Sequence, residues 1–160
     1  MSEEVLRARR IALYHRRLRA ASELPASVDP DSTLVSLVCA LGEDGMSDTE
    51  SDHVPSPANP NTNVSQLVVL PNTWRSRHCR PYLTALDDLY DISATERGQS
   101  IGPTRVFNDD RPRRKRYPVP RLPRNMYDDD WLGQWTESTR RALIGTRNMK
   151  PFEAPSAFWT

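Results

Sequence analysis

Residues 43–63 run Glu43-Asp44-Gly45-Met46-Ser47-Asp48-Thr49-Glu50-Ser51-Asp52, then His53-Val54-Pro55-Ser56-Pro57-Ala58-Asn59-Pro60-Asn61-Thr62-Asn63. How this stretch is read decides the fold. Only Met46, Val54 and Ala58 are apolar in it. A segment this polar has little surface to bury against the entropy of ordering it, so it is expected to be a disordered acidic linker over 43–64. Taken as a linker, it splits the chain into a basic N-terminal part over 1–42 and a C-terminal part over 65–145, with a tail over 146–160.

The charge follows the same division. Residues 1–19 hold six Arg and two Glu, a net +4. Residues 20–74 hold eight acids and no Lys or Arg, a net −8, and residues 75–160 come to +5. Such blocks attract one another and also attract charged partners, although a solvated surface with a polar tether has the same pattern. Hydrophobic residues make up 37% of the 160 and mean hydropathy is −0.69, low for a compact chain. Fourteen prolines break it into short segments. About half to two-thirds of the chain is expected to be ordered.

Upstream, residues 3–23 read as a helix. Glu3 and Glu4 favour its positive end, and Ile11, Tyr14, Leu18 and Ala21 share one face. The arginines are expected to lie mostly on other faces. Residues 31–41 read as a short buried helix capped by Asp31 or Ser32 and stopped by Gly42, folding back on the first as a hairpin. Cys39, inside this apolar run, reads as a small buried hydrophobe.

Downstream, Ser65–Leu70 is a strand candidate, with Thr104–Phe107 as its one available partner. Residues 81–92 form a helix with Pro81 in the first turn. An irregular arm over 94–125 follows, then one helix from about 128 to 144, capped by Asp128 and ended by Gly145. Trp74, Tyr82, Tyr90, Tyr127, Trp131 and Trp135 are the expected aromatic anchors. The tail is expected to be loose, with Phe158 and Trp159 available to dock. The fold class expected is therefore mainly α with extensive disorder: a helical hairpin, an acidic linker and a loosely packed helical C-terminal part with a short strand pair.

Two stretches carry functional signals. Ser47 has an acid three residues on, at Glu50, and Thr49 has Asp52 at the same spacing. An acidophilic kinase reads that pattern, and a phosphate there could dock on an arginine cluster. Arg111, Arg113, Arg114, Lys115 and Arg116 form the densest basic run. It reads as a nuclear import signal, a nucleic-acid contact with Tyr117 stacking on a base, or a neutralised surface loop. Arginine exceeds lysine twenty to two, which suits phosphate and carboxylate forks and equally follows from nucleotide bias.

Other chemistry is poorly supported. Asp128-Asp129-Asp130 reads as a helix cap rather than a Mg²⁺ site, because consecutive helical residues do not share a face. His78-Cys79 lacks a second ligand pair for zinc. No nucleophile has a base at a readable spacing, and there is no G-x-S-x-G elbow or phosphate loop. No catalytic residue, metal, cofactor or small-molecule ligand is expected. Two cysteines make no disulfide framework, and no apolar run approaches a membrane span. A nuclear location is expected, otherwise a cytoplasmic one.

The segments Leu41-Gly42-Glu43-Asp44-Gly45-Met46-Ser47-Asp48-Thr49-Glu50-Ser51-Asp52, Trp74-Arg75-Ser76 and Leu122-Pro123-Arg124-Asn125-Met126-Tyr127-Asp128-Asp129-Asp130-Trp131-Leu132 together resemble a group of uncharacterised multi-copy proteins of mushroom-forming fungi. Those carry L-G-x-x-G-M-S-S-D-E-S-like, P-W-R-S-like and G-L-P-x-N-x-Y-D-x-x-W-L-like segments in this order. Asp48, Arg121 and the Pro71-Asn72-Thr73-Trp74 spacing depart from the pattern. The resemblance implies a mobile-element and nuclear setting and a shorter copy of a longer protein, and it transfers no catalytic residue. The expected function is a non-enzymatic nuclear interaction protein, contacting acidic partners or nucleic acid through its arginine-rich segments under phosphorylation control. The alternative is an inert structural or oligomerising module, or a mobile-element remnant with no selected activity.

Overall fold

The structure, a computed structural model, describes residues 1–108, 111–144 and 151–159. Helix α1 spans Glu3–Ser22 and α2 spans Thr33–Leu41. Strands β1, Asp48–Pro55, and β2, Asn63–Leu70, follow. Next come α3, Cys79–Glu96, and β3, Thr104–Phe107, then the short helices α4, Asp129–Gly133, and α5, Glu137–Ile144.

The segment expected to be disordered is instead the edge strand of a three-stranded sheet. β1 pairs antiparallel with β2 from Asp48↔Leu70 to Pro55↔Asn63. β2 pairs parallel with β3, from Gln66↔Thr104 to Val69↔Phe107, so the 65–70/104–107 pairing is present. The fold is thus mixed α and β and is not extensively disordered. The reading failed because β1 has almost no apolar surface of its own. Its backbone groups are satisfied by β2, whose Val68, Val69 and Leu70 are buried, and its acids are satisfied by arginines more than 35 residues away in sequence. The turn closes as Ser56 N–H donates to the Thr62 carbonyl at 2.8 Å and Thr62 N–H to the Asn59 carbonyl at 3.0 Å. The Asn59 side chain also accepts from Asn61 N–H, as asparagine does in tight turns.

α1 does pack with α2, as expected of a hairpin, but on a different stripe. Leu6, Arg10, Leu13, Arg17 and Ala20 are the buried row. Two arginines in a buried row are tolerable only when paired. Arg10 donates to Asp48 at 2.5 Å and to Glu3 at 2.8 Å. Arg17 meets both oxygens of Asp87 on α3 at 2.8 Å, and its third nitrogen donates to Met46 Sδ. Charge therefore sits on the packed face, where the apolar periodicity placed none.

The cap of α2 is Asp29, not Asp31 or Ser32: its carboxylate accepts from Thr33 and Leu34 N–H, both at 2.9 Å. Gly42 stops the helix as expected, at φ 61°, a conformation glycine adopts without penalty. Cys39 is exposed, whereas Cys79 is fully buried. Helix α3 begins two residues before the expected start.

The last helix is two helices. Asp128 caps the first, accepting from Trp131 N–H at 2.9 Å. After Gly133, Thr136 opens the second by accepting from Thr139 N–H at 3.2 Å. A glycine followed by a second capping residue favours a break over continuation. The expected stop at Gly145 lies outside the described residues, as do residues 146–150. The tail is not loose over 151–159: Phe152 and Phe158 pack on the core, and Tyr82 lies edge-on to Phe152 with centroids 5.2 Å apart.

One hydrophobic cluster gathers Leu13 from α1, Leu34 and Val38 from α2, Met46, Trp74, Leu83 and Leu86 from α3, and Leu122, Tyr127 and Leu132. The N-terminal helices and the C-terminal segments bury one surface jointly.

Burial sets the behaviour of the two thiols. It pushes Cys79 up from 9.0 to about 11. We expect one thiol per native chain, Cys39, to react with an aromatic disulfide reagent, and both in denaturant. Between pH 9 and 10 the unfolded chain loses the Cys79 proton while the native chain keeps it, so stability falls as pH rises. The loss is about 1 kcal/mol by pH 10. Urea midpoints that stay level over this range, or that fall equally in Cys79→Ala, would contradict the assignment.

Candidate functional site

The basic run does not hang free. Arg114 N–H donates to the Pro71 carbonyl and Thr73 N–H donates to the Arg114 carbonyl, both at 2.9 Å, which pins the run beside the end of β2. Its side chains then meet acids. Arg111 pairs with Glu50 at 2.7 Å and lies 3.9 Å from Asp52. Arg114 reaches Glu50 at 3.3 Å and Asp48 at 3.8 Å. Arg116 reaches Asp48 at 3.1 Å. Arg113 turns inward, donating to the carbonyls of Asn72 and Arg75 at 2.7 and 2.8 Å and to Asp128 at 3.3 Å. Of the three readings of the run, this geometry is that of the neutralised loop. Lys115 is the exception: it is exposed and has no ion-pair partner among the described residues.

Ser47 and Thr49 are both only 4% exposed. Ser47 Oγ accepts from Arg75 Nη2 at 2.7 Å, and the Thr49 hydroxyl is buried without a partner. A kinase reaches either hydroxyl only if the start of β1 leaves the sheet. Arg75 also donates to the Gly45 carbonyl and has no carboxylate in ion-pair range among the described residues. Burial lowers its guanidinium to about 10.

Tyr117 follows the run and is 94% exposed, standing between two clefts. The smaller, about 580 Å³, is lined in part by Glu3, Glu43 and Asp44. The larger, about 810 Å³, is lined by Lys115, Arg116, Tyr117, Pro118, Trp131, Trp135 and Arg140 among others, and no carboxylate of the described residues lines it. Arg140, like Lys115, has no side-chain partner among the described residues.

The aromatic wall of the larger cleft is anchored in the core. Trp74, fully buried, lies 6.0 Å from Tyr127 by ring centroids. Tyr127 stacks on Trp131 at 6.3 Å and 14°, and Trp131 meets Trp135 edge-on at 5.7 Å. The ladder runs from a buried ring to Trp135, which is 45% exposed and so not the core anchor its sequence suggests. Tyr127 is held by its hydroxyl, which donates to the Val119 carbonyl at 2.6 Å and accepts from Leu122 N–H. Offset and edge-on pairs at these separations fix each ring by its neighbour.

No family model matches the chain, and no curated protein or solved structure matches it.

The i, i+4 spacing of Trp131 and Trp135 was readable as a shared face. That Arg140 of α5, Lys115 and Tyr117 line the same cleft has no local signal. Among the described residues, no group of three or more His, Cys, Asp or Glu is placed to hold a metal ion, and no helix is long and apolar enough to cross a membrane.

Proposed function

We propose that this protein is a non-enzymatic binding module that takes single-stranded nucleic acid into the cleft between Tyr117, Trp131 and Trp135. The observation that supports this is the cleft's composition: the exposed rings of Tyr117 and Trp135 beside two cations without side-chain partners among the described residues, which place no acid in the lining. Every base offers a π-face, so aromatic faces take bases of any sequence, and each stack contributes about 1–3 kcal/mol. Lys115 and Arg140 would take the intervening phosphates. The contact thus moves from the body of the 111–116 run, which β1 neutralises, to its exit at Lys115 and Tyr117. A nuclear location belongs to the same reading.

Fluorescence titration with an oligothymidylate at low salt tests it. Trp135→Ala should weaken binding about 5- to 100-fold with little loss of stability, because Trp135 is the outermost ring. Lys115→Ala/Arg140→Ala should flatten the salt dependence. No binding to the native chain at low salt overturns the proposal. An aromatic cleft can also take a proline-rich peptide in polyproline conformation. Preferential, salt-independent binding of such a peptide would replace the nucleic acid.

A further inference from the structure

The acids of β1 alternate along the strand, so Asp48, Glu50 and Asp52 fall on one side of it. They meet the basic run as a row of anions, and the row has two parts. Asp48 is buried at 4% and fixed by Arg10, itself buried. Glu50 and Asp52 are 35% and 37% exposed, and their partners Arg111 and Arg114 are 39% and 41% exposed. The outer pairs are open to water and screened by salt, so an external anion can exchange with them. They also lead to the cleft: Lys115, Arg116 and Tyr117, which line it, follow Arg114 directly.

We propose that the outer acids of β1 are an internal competitor for phosphate. Glu50 and Asp52 occupy Arg111 and Arg114, and a nucleic-acid strand leaving the cleft must displace them to gain those two contacts. This rests on the binding reading above. The contact is autoinhibitory: it holds down general polyanion affinity and leaves the aromatic cleft to select its ligand.

Glu50→Gln/Asp52→Asn tests it in the full chain, beside Asp88→Asn/Glu96→Gln, which makes the same change in net charge at exposed positions on α3. Two probes are used: the oligothymidylate, and heparin, a polyanion without bases. The β1 variant should bind the oligothymidylate about tenfold more tightly at low salt. Its log K against log salt should steepen by about 1.4, or 0.7 for each added phosphate contact on a single strand. It should also elute from heparin at higher salt than the α3 variant. Equal elution of the two variants, with an unchanged slope, overturns the proposal. Glu50→Gln alone, which keeps one acceptor oxygen and turns a donating NH2 toward the other arginine, carries the comparison beside Asp88→Asn alone if the double variant does not fold. Failure of the cleft reads differently: Trp135→Ala would leave oligothymidylate binding unchanged, while the heparin comparison would still report on β1.

Discussion

Replacing Asp87 with Ala is expected to cost about 3–5 kcal/mol of stability, among the largest effects of any single substitution in this chain. Arg17 is 5% exposed and gives Asp87 two parallel hydrogen bonds of 2.8 Å. The pair is the polar tie between α1 and α3. Without the carboxylate, the guanidinium remains buried, with Met46 Sδ its one other acceptor among the described residues. The cost is dominated by that stranded charge rather than by the attraction lost, because forming the pair already required both ions to leave water. The distinguishing result is the double variant Arg17→Met/Asp87→Leu, which removes both charges and keeps the volume. It should recover most of the loss, to within about 1 kcal/mol of the native chain. Chemical denaturation measures all three proteins. A double variant as unstable as Asp87→Ala would show that the site needs the pair for its shape, not for its charge balance.

The second large effect is expected at Trp74, at about 3–5 kcal/mol for Trp74→Ala. The indole is fully buried in the central cluster, so its loss leaves a cavity that the surrounding elements cannot close. The consequence extends beyond stability. Trp74 supports Tyr127, Tyr127 stacks on Trp131, and Trp131 positions Trp135. Trp74→Phe keeps a ring at the head of the ladder and should cost less than half as much. Denaturant midpoints give the stability, and tryptophan emission reports the exposed end of the ladder. In Trp74→Phe the emission of Trp131 and Trp135 should stay near that of the native chain. A large red shift there, with stability retained, would show that the outer rings depend on Trp74 itself rather than on a ring in its place.

Sequence and structure agree where a signal is local. The helix of residues 3–23 is present, and so are the Gly42 stop, the Asp128 cap and the Ser65–Leu70/Thr104–Phe107 pairing. Each depends on a propensity or cap acting within a few residues, apart from the strand pairing, where few partners were available. The two largest errors share a cause in the opposite sense. Polarity weighed alone makes the acidic stretch a linker. In the folded chain Asp48, Glu50 and Asp52 meet Arg10, Arg111, Arg114 and Arg116. The same oversight keeps Arg10 and Arg17 off the packed face, where both are buried. Unlike an apolar period, an ion pair between residues 48 and 116 leaves no repeat in the sequence.

By itself, then, the sequence determined the first three helices, the central strand and the block pattern of charge, because these follow from short-range periodicity and composition. It also placed Lys115 beside Tyr117 and Trp131 four residues from Trp135. Tertiary structure alone decided that the acidic block is a strand, that it neutralises most of the basic run, and that Lys115, Tyr117, Trp135 and Arg140 border one cleft. The physical reason is that opposite charges are satisfied by proximity in space. Which acid meets which arginine is fixed only after the apolar residues of α1, α2, α3 and β2 have packed together.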